Sequence, residues 1–163
     1  MTIQIELTQG KVAIIDEADW PLVNGFRWYA VKDRNVWYAQ ANTSRKEGPR
    51  RTVRMHRLLL GLTDRRIYTD HINGNGLDNS RSNLRVCFSS ENQRNRGAQV
   101  NNTSGYKGVS RRAYRGDWQA QIWAKGKNRH LGYFKTPEEA HQAYCRAALE
   151  MHGEFANVGD RQA

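Results

Sequence analysis

The feature that most constrains this chain is a break in its hydrophobic pattern. Residues 98–104 carry no apolar periodicity and include Asn101-Asn102-Thr103-Ser104, which is typical of a linker. Periodic apolar patterns lie on both sides of this break. A chain of 163 residues that divides in this way can form only two small domains, each with a modest core.

The part before the break has the alternation typical of short strands. Apolar residues alternate in 3–7 and again in 12–15, with a glutamine-glycine turn signal between them, which predicts a hairpin. Two aromatic-rich runs at 28–31 and 36–39 predict another pair of strands. We therefore expect a β-rich lead-in over residues 1–55.

A second pattern runs through residues 56–97. Two predicted strands, at 68–72 and 84–88, flank Asn73-Gly74-Asn75-Gly76, the strongest turn signal in the chain. A polar segment at 89–96 is predicted to be a helix. This order of strand, long turn, strand and helix gathers several polar side chains within one short segment.

Four of these side chains have the chemistry that phosphodiester hydrolysis requires, which is a base for water, a cation and a group that orients the base. Histidine titrates near neutrality and suits the base, here His71. The oxygens of Asp70 and Asn92 suit Mg²⁺ or Mn²⁺, and Asn83 could fix the tautomer of His71. Each residue alone could be a turn or capping group. Because Asp70 and His71 are adjacent, one shared site requires the strand to end or bulge there.

The motifs in this stretch are similar to those of HNH endonucleases, in particular the subgroup of phage and group I intron homing enzymes. They are His56-Arg57-Leu58, Asp70-His71-Ile72-Asn73-Gly74, Asn83-Leu84-Arg85 and Ser90-Glu91-Asn92. The resemblance covers residues 1–97, with a ββα-metal motif expected at 56–97.

The resemblance implies that Asp70 and Asn92 bind one divalent cation, Mg²⁺ or Mn²⁺. It also implies that His71 is the general base and that Asn83 orients it. His56 is a further candidate catalytic residue, and two readings stay open for it: a position beside the scissile phosphate, or a structural role.

Charge points to a polyanionic partner. The net charge is +10, and nucleic acid is the commonest partner of such a chain. Cys87 and Cys145 are far apart with no CxxC pair, so we expect no zinc. The candidate phosphate contacts near the motif are Arg57, Arg81, Arg85, Arg94 and Arg96.

The part after the break predicts three strands, at 106–112, 117–123 and 130–134, followed by a helix. Thr136-Pro137-Glu138-Glu139 is a capping box with proline at the first helical position. The predicted sheet region is basic, with a net charge of +7 over residues 105–135, whereas the helical region that follows is acidic. We expect the sheet to face DNA.

This part resembles an AP2 domain over 105–157, with a tail at 158–163. The resemblance rests on Gly105-Tyr106-Lys107-Gly108-Val109-Ser110, Trp118-Gln119-Ala120-Gln121-Ile122 and Leu131-Gly132-Tyr133-Phe134. It implies a three-stranded antiparallel sheet that lies in the major groove, with one helix. The residues implied to face DNA are Lys107, Arg112, Tyr114, Gln121, Trp123 and His130.

The sequence therefore predicts an α+β protein that hydrolyses double-stranded DNA with a divalent cation. The alternative is a non-catalytic DNA-binding regulator, and an RNA-binding or assembly protein is disfavoured because a groove-reading sheet suits B-form DNA. We expect an intracellular protein without a signal peptide or membrane span. One metal site per chain predicts that a monomer nicks, and monomer and dimer both stay open.

Overall fold

The computed structural model describes residues 1–44, 48–95 and 102–159. The chain forms two compact units, Met1–Ser89 and Ser90–Ala163. Strands in small antiparallel sheets alternate with helices, so the expected α+β class is confirmed. Within the described ranges no helix is both long and apolar enough to cross a lipid bilayer.

The first unit begins with a hairpin and a three-stranded sheet, both antiparallel. The hairpin pairs Ile3 with Ile15 and Ile5 with Ala13, which gathers the apolar side chains on one face. The elements are β1 (Thr2–Glu6), β2 (Val12–Asp16), α1 (Trp20–Val23), β3 (Tyr29–Asp33), β4 (Val36–Asn42), β5 (Thr52–Arg54) and α2 (Met55–Leu59).

One apolar core holds this unit together. It includes Leu84, which comes from the strand pair that carries the sequence motif, so that pair shares a scaffold with the N-terminal strands. Full burial of a Leu, Ile, Val or Met side chain in such a core contributes about 1.5–3 kcal/mol to stability. The other buried members are Ala13, Ile15, Val23, Trp28, Ala39, Ala41, Met55 and Leu59.

The motif itself lies on two antiparallel strands and the helix that follows them. These are β6 (Tyr68–His71), β7 (Leu84–Cys87) and α3 (Ser89–Arg94). The long turn between the strands is bonded to β2, because Ile14 N donates to Leu77 O at 2.9 Å and Asn79 N donates to Ile14 O at 2.7 Å. Two backbone hydrogen bonds to Ile14 therefore hold the turn against β2.

The second unit contains an antiparallel sheet in the order β10–β9–β8 with a helix packed on it. Thr136 caps the helix by accepting from Glu139 N at 3.2 Å, as the capping box predicts. Residues 98–101 of the expected linker lie outside the described residues. Asn102 and Ser104 bond into the second unit, through Tyr106 O at 2.7 Å and 3.0 Å. The elements are β8 (Val109–Arg111), β9 (Trp118–Ala124), β10 (Lys127–Phe134) and α4 (Pro137–His152).

Strand β8 begins later than the sequence predicts because two glycines turn the chain before it. Gly105 and Gly108 have φ of +78° and +74°, in the left-handed region that favours glycine. Gly108 also lies directly against the ring of Tyr144, and a Cβ there would meet Tyr144 and the Gln121 carbonyl. This close approach lets α4 pack on the sheet.

We expect Gly108→Ala to lower the free energy of unfolding of the second unit by about 2–4 kcal/mol, from left-handed strain plus overpacking. Gly116→Ala is the matched control, since Gly116 has φ of +72° but no atom within 4 Å of a built Cβ. It should cost about 1–2 kcal/mol. Denaturant unfolding of the full chain measures both changes, and equal effects would contradict the packing role of Gly108.

Candidate active site and nucleic-acid interface

His71 ends strand β6, and its imidazole is buried. Its Nε2 lies 3.4 Å from Oδ1 of Asn79, which is itself fully buried. The Asn79 Nδ2 donates to the Leu77 carbonyl at 3.1 Å, so the amide oxygen faces the ring. Because this oxygen can only accept, the contact is a hydrogen bond when Nε2 carries the proton, and Nδ1 is then the nitrogen that can act as a base.

Asn83 serves the turn rather than the His71 ring directly. Its Oδ1 accepts from Asn73 N at 2.9 Å, and its Nδ2 donates to Asp78 O at 2.7 Å. Both atoms thus bridge the two ends of the turn that carries Asn79. The expected direct contact to His71 is made by Asn79 instead, a residue that the sequence did not single out.

Three rings pack together around His71. The His56 ring lies 5.1 Å from it in an edge-on arrangement, and Tyr38 lies 5.6 Å from His56 and 6.0 Å from His71. Gly76 lies directly against the Tyr38 ring, so the turn and β4 are in close contact at this point. Tyr38 was missed because it lies 33 positions before His71, and nothing local marks it.

His56 is uncharged in this environment. Burial is the largest cause that lowers the pKa of His56 to about 3, and the proximity of His71, Arg54 and Arg57 lowers it further. Its Nδ1 is buried and has no hydrogen-bond partner among the described residues. A neutral, buried ring favours the structural reading of His56 over a cationic contact to phosphate.

Asp70 is buried next to an arginine. Arg85 donates to the Asp70 Oδ2 from Nε at 2.9 Å and from Nη2 at 2.6 Å, and the two residues are paired across β6 and β7. Their side chains are only 7% and 12% exposed. Asp70 thus contacts Arg85 while His71 contacts Asn79, as alternation along a strand predicts, and β6 ends at His71.

The chemistry of Asp70 fits a hard divalent cation, since its carboxylate is buried and fixed in direction. The second expected ligand, Asn92, lies on α3 in the second unit and is half-buried. Across the described part of the chain, no three His, Cys, Asp or Glu side chains cluster as a metal site. A cation bound by the Asp70 carboxylate would take water and phosphate oxygens as further ligands, a set that suits Mg²⁺ or Mn²⁺.

Two of the expected phosphate contacts are used inside the first unit. The Arg57 guanidinium donates to three backbone carbonyls at 2.6–3.3 Å, and Arg81 donates through Nε and Nη2 to the Asp19 carboxylate at 2.7–3.1 Å. Contacts of these two arginines to phosphate stay predictions. The Arg94 side chain and the whole of Arg96 lie outside the described residues.

The outer face of the second unit's sheet collects several of the expected DNA-facing residues. Ala120 and Ile122 are buried, so Gln121 and Trp123 point to the opposite face, where Trp123 is 66% exposed. The register places His130 beside Gln121. The resemblance to AP2 domains implied these residues, and the alternation along β9 agrees with their position on one face.

Strand β10 departs from alternation at a bulge between His130 and Gly132, where Gly132 has φ of +135°. The bulge places Tyr133 beside His130, with ring centroids 4.4 Å apart. The Arg112 guanidinium lies 3.9 Å from the Tyr133 ring centroid. Tyr133 was missed because single-sequence alternation cannot locate a bulge.

Lys107 and Tyr114 lie away from this row. The Lys107 Nζ is 5.9 Å from the ring of Tyr144, a core residue, and Tyr114 is fully exposed in the turn between β8 and β9. Their contacts to DNA stay predictions.

Comparison with known protein families finds an AP2 domain at residues 104–154, as the sequence resemblance predicts. The chain is 34% identical over 110 residues to Protein 3.8 of Escherichia phage T7, which covers 68% of this chain and 90% of the phage protein. No solved structure matches.

Two further relatives correspond to the two parts of the chain. A protein of Acanthamoeba polyphaga mimivirus that is named an HNH endonuclease is 29% identical over 153 residues, 91% of this chain and 74% of the viral protein. APETALA2-like protein 2 of Oryza sativa is 39% identical over 56 residues, 34% of this chain and 13% of the plant protein. The predicted likeness to an HNH endonuclease and to AP2 proteins is thus confirmed.

Proposed function

Because the chain belongs to the family of Protein 3.8 of Escherichia phage T7 and carries an AP2 domain, we propose that it is a metal-dependent DNA endonuclease of the HNH kind. One observation carries this proposal. A buried histidine, His71, contacts the buried Asn79 amide through Nε2 at the end of β6, and the residue before it, Asp70, is a buried carboxylate. Likeness along 91% of the chain to a protein named an HNH endonuclease supports it.

His71 is the general base of the proposed reaction. Its Nδ1 accepts a proton from the attacking water, and the resulting imidazolium is stabilised by donation from Nε2 to Asn79. The rings of His56 and Tyr38 hold the imidazole in place and restrict water around it. Asn83 acts on His71 indirectly, because its hydrogen bonds fix the turn that carries Asn79.

Asp70 and Asn92 are the proposed metal ligands. A bound Mg²⁺ or Mn²⁺ would supply charge stabilisation for the phosphate oxygens. Arg85 holds the Asp70 carboxylate in one direction before a cation binds, and it keeps a positive charge within reach of a phosphate.

The AP2 domain is the proposed DNA-reading part. Eight lysines and arginines against one aspartate over residues 105–135 favour contact with the phosphate backbone. The outward row of Gln121, Trp123 and His130 suits base edges in a major groove.

Supercoiled plasmid incubated with the protein tests the proposal directly. We expect nicked circles with Mg²⁺ or Mn²⁺ and loss of cleavage by at least about 100-fold in EDTA, since Lewis-acid stabilisation contributes several kcal/mol. Circular dichroism in EDTA is the control and should not change. Cleavage that survives exhaustive chelation would contradict the metal assignment.

A DNA-binding regulator without catalysis is the second candidate, favoured by the AP2 domain alone. It predicts plasmid binding with no change in topology under any divalent cation. The proposed nuclease, with one active site per chain, nicks before it linearises.

A further inference from the structure

Gln119 occupies the centre of the outer sheet face of the second unit. It lies on the middle strand β9, two positions before Gln121, and the buried Ala120 between them faces the other way. The register places Ser110 of β8 on one side of it and Tyr133 of β10 on the other. Gln119 was not among the residues that the sequence predicted to face DNA.

The amide of Gln119 is held in one orientation. Its Nε2 donates to Ser110 Oγ at 3.0 Å, so the nitrogen side of the amide faces β8. The second N–H and the carbonyl oxygen have no partner within the described ranges. They leave the amide with one N–H donor and one carbonyl acceptor for a partner on the outer face.

An adjacent donor and acceptor is the complement of one base edge. In the major groove adenine presents N7, an acceptor, beside the N6 amino donor, whereas guanine presents two acceptors. Resting on the proposed function, we infer that Gln119, oriented by Ser110, is a specificity-determining residue that reads an adenine.

Gln121 is the internal comparison for this assignment. Its Oε1 already accepts from Asn128 Nδ2 at 2.9 Å, so its amide presents mainly N–H donors to a partner. Donors of this kind suit the acceptors of guanine or the O4 of thymine. Gln119 and Gln121 lie on one face, but their cross-strand partners, Ser110 and Asn128, leave different hydrogen-bonding groups available to a base.

The test is selection of bound duplexes from a random library by the full chain in EDTA, which prevents metal-dependent cleavage. For the unchanged protein we expect a motif with an adenine position, preferred by roughly 5- to 150-fold, the range of one bidentate contact. Gln119→Glu should convert that position to cytosine, because a carboxylate only accepts and cytosine offers the N4 donor. The rest of the motif should not change.

Two further variants separate readout from folding. Gln142→Glu adds the same charge at an exposed position of α4 and should leave the motif unchanged. Ser110→Ala should keep the adenine preference but reduce it several-fold, because the amide loses its fixed orientation. Gln119→Ala, which adds no charge, should lose the preference at that position alone.

The outcomes are distinguishable. If the unchanged protein enriches no motif, base reading by the AP2 domain fails and the inference fails with it. If the unchanged protein enriches a motif that Gln119→Glu and Gln119→Ala both retain, the role of Gln119 is overturned while the proposed function stands.

Discussion

Replacing His71 with alanine should reduce the rate of DNA cleavage by about 10²- to 10⁴-fold, the range of general acid–base catalysis. The reason is that Nδ1 of this ring is the proposed acceptor of the water proton, with Nε2 donating to Asn79. Affinity for duplex DNA should stay nearly unchanged, because one neutral imidazole contributes little to phosphate binding. Single-turnover nicking at saturating protein, with fluorescence anisotropy for affinity, measures the two effects separately.

Variants of the residues near His71 test the same role, because their cleavage rates can be compared with that of His71→Ala. Asn79→Ala should slow cleavage by less than His71→Ala, because the base remains but its tautomer is no longer fixed. Asn83→Ala should act through the turn and therefore lower stability as well as rate, since both of its bonds span the turn. A His71→Ala rate within tenfold of the unchanged protein would exclude the base role.

The secondary structure of the segment that carries the candidate site was predictable because its signals are local in sequence. An asparagine-glycine turn between two short apolar runs has few alternatives to a hairpin, and residues 70 to 83 are near one another in any such hairpin. The same holds for the capping box at Thr136, which needs only four neighbouring residues. Local signals therefore predicted the order of elements around His71, whereas its burial became visible only in the structure.

The partners of those residues depended on contacts between distant parts of the chain. Tyr38 reaches His71 from another sheet, and Arg81 is bonded to Asp19, sixty-two positions earlier. An arginine near such a motif is predicted to contact phosphate, because the sequence does not show which group it binds within the fold. Arg57 shows the same limit, because the carbonyls that it binds carry no sequence signal.

In the second unit, an irregular strand limited what the sequence alone could predict. The AP2 resemblance implied Gln121 and Trp123, and period-two alternation agrees with it because β9 is regular. The bulge in β10 shifts the phase by one residue, so Tyr133 shares a face with His130. Fixing such a phase requires the register with a neighbouring strand, which one sequence does not contain.

The buried pair of Asp70 and Arg85 gives the second large effect. Asp70→Leu should abolish metal-dependent cleavage and also lower the free energy of unfolding by about 3–5 kcal/mol, because Arg85 loses its buried carboxylate partner. The two losses have different causes, one catalytic and one structural, and a single variant cannot separate them.

The double variant Asp70→Leu with Arg85→Met separates them. Replacing both charges by apolar side chains of similar volume is often neutral or stabilising, so the free energy of unfolding should return to within about 1–2 kcal/mol of the unchanged protein. Cleavage should stay absent, because the metal carboxylate is still missing. Urea unfolding and plasmid nicking on the same three proteins check both statements. Recovery of cleavage in the stable double variant would show that Asp70 serves the fold alone and that the proposed cation is bound elsewhere.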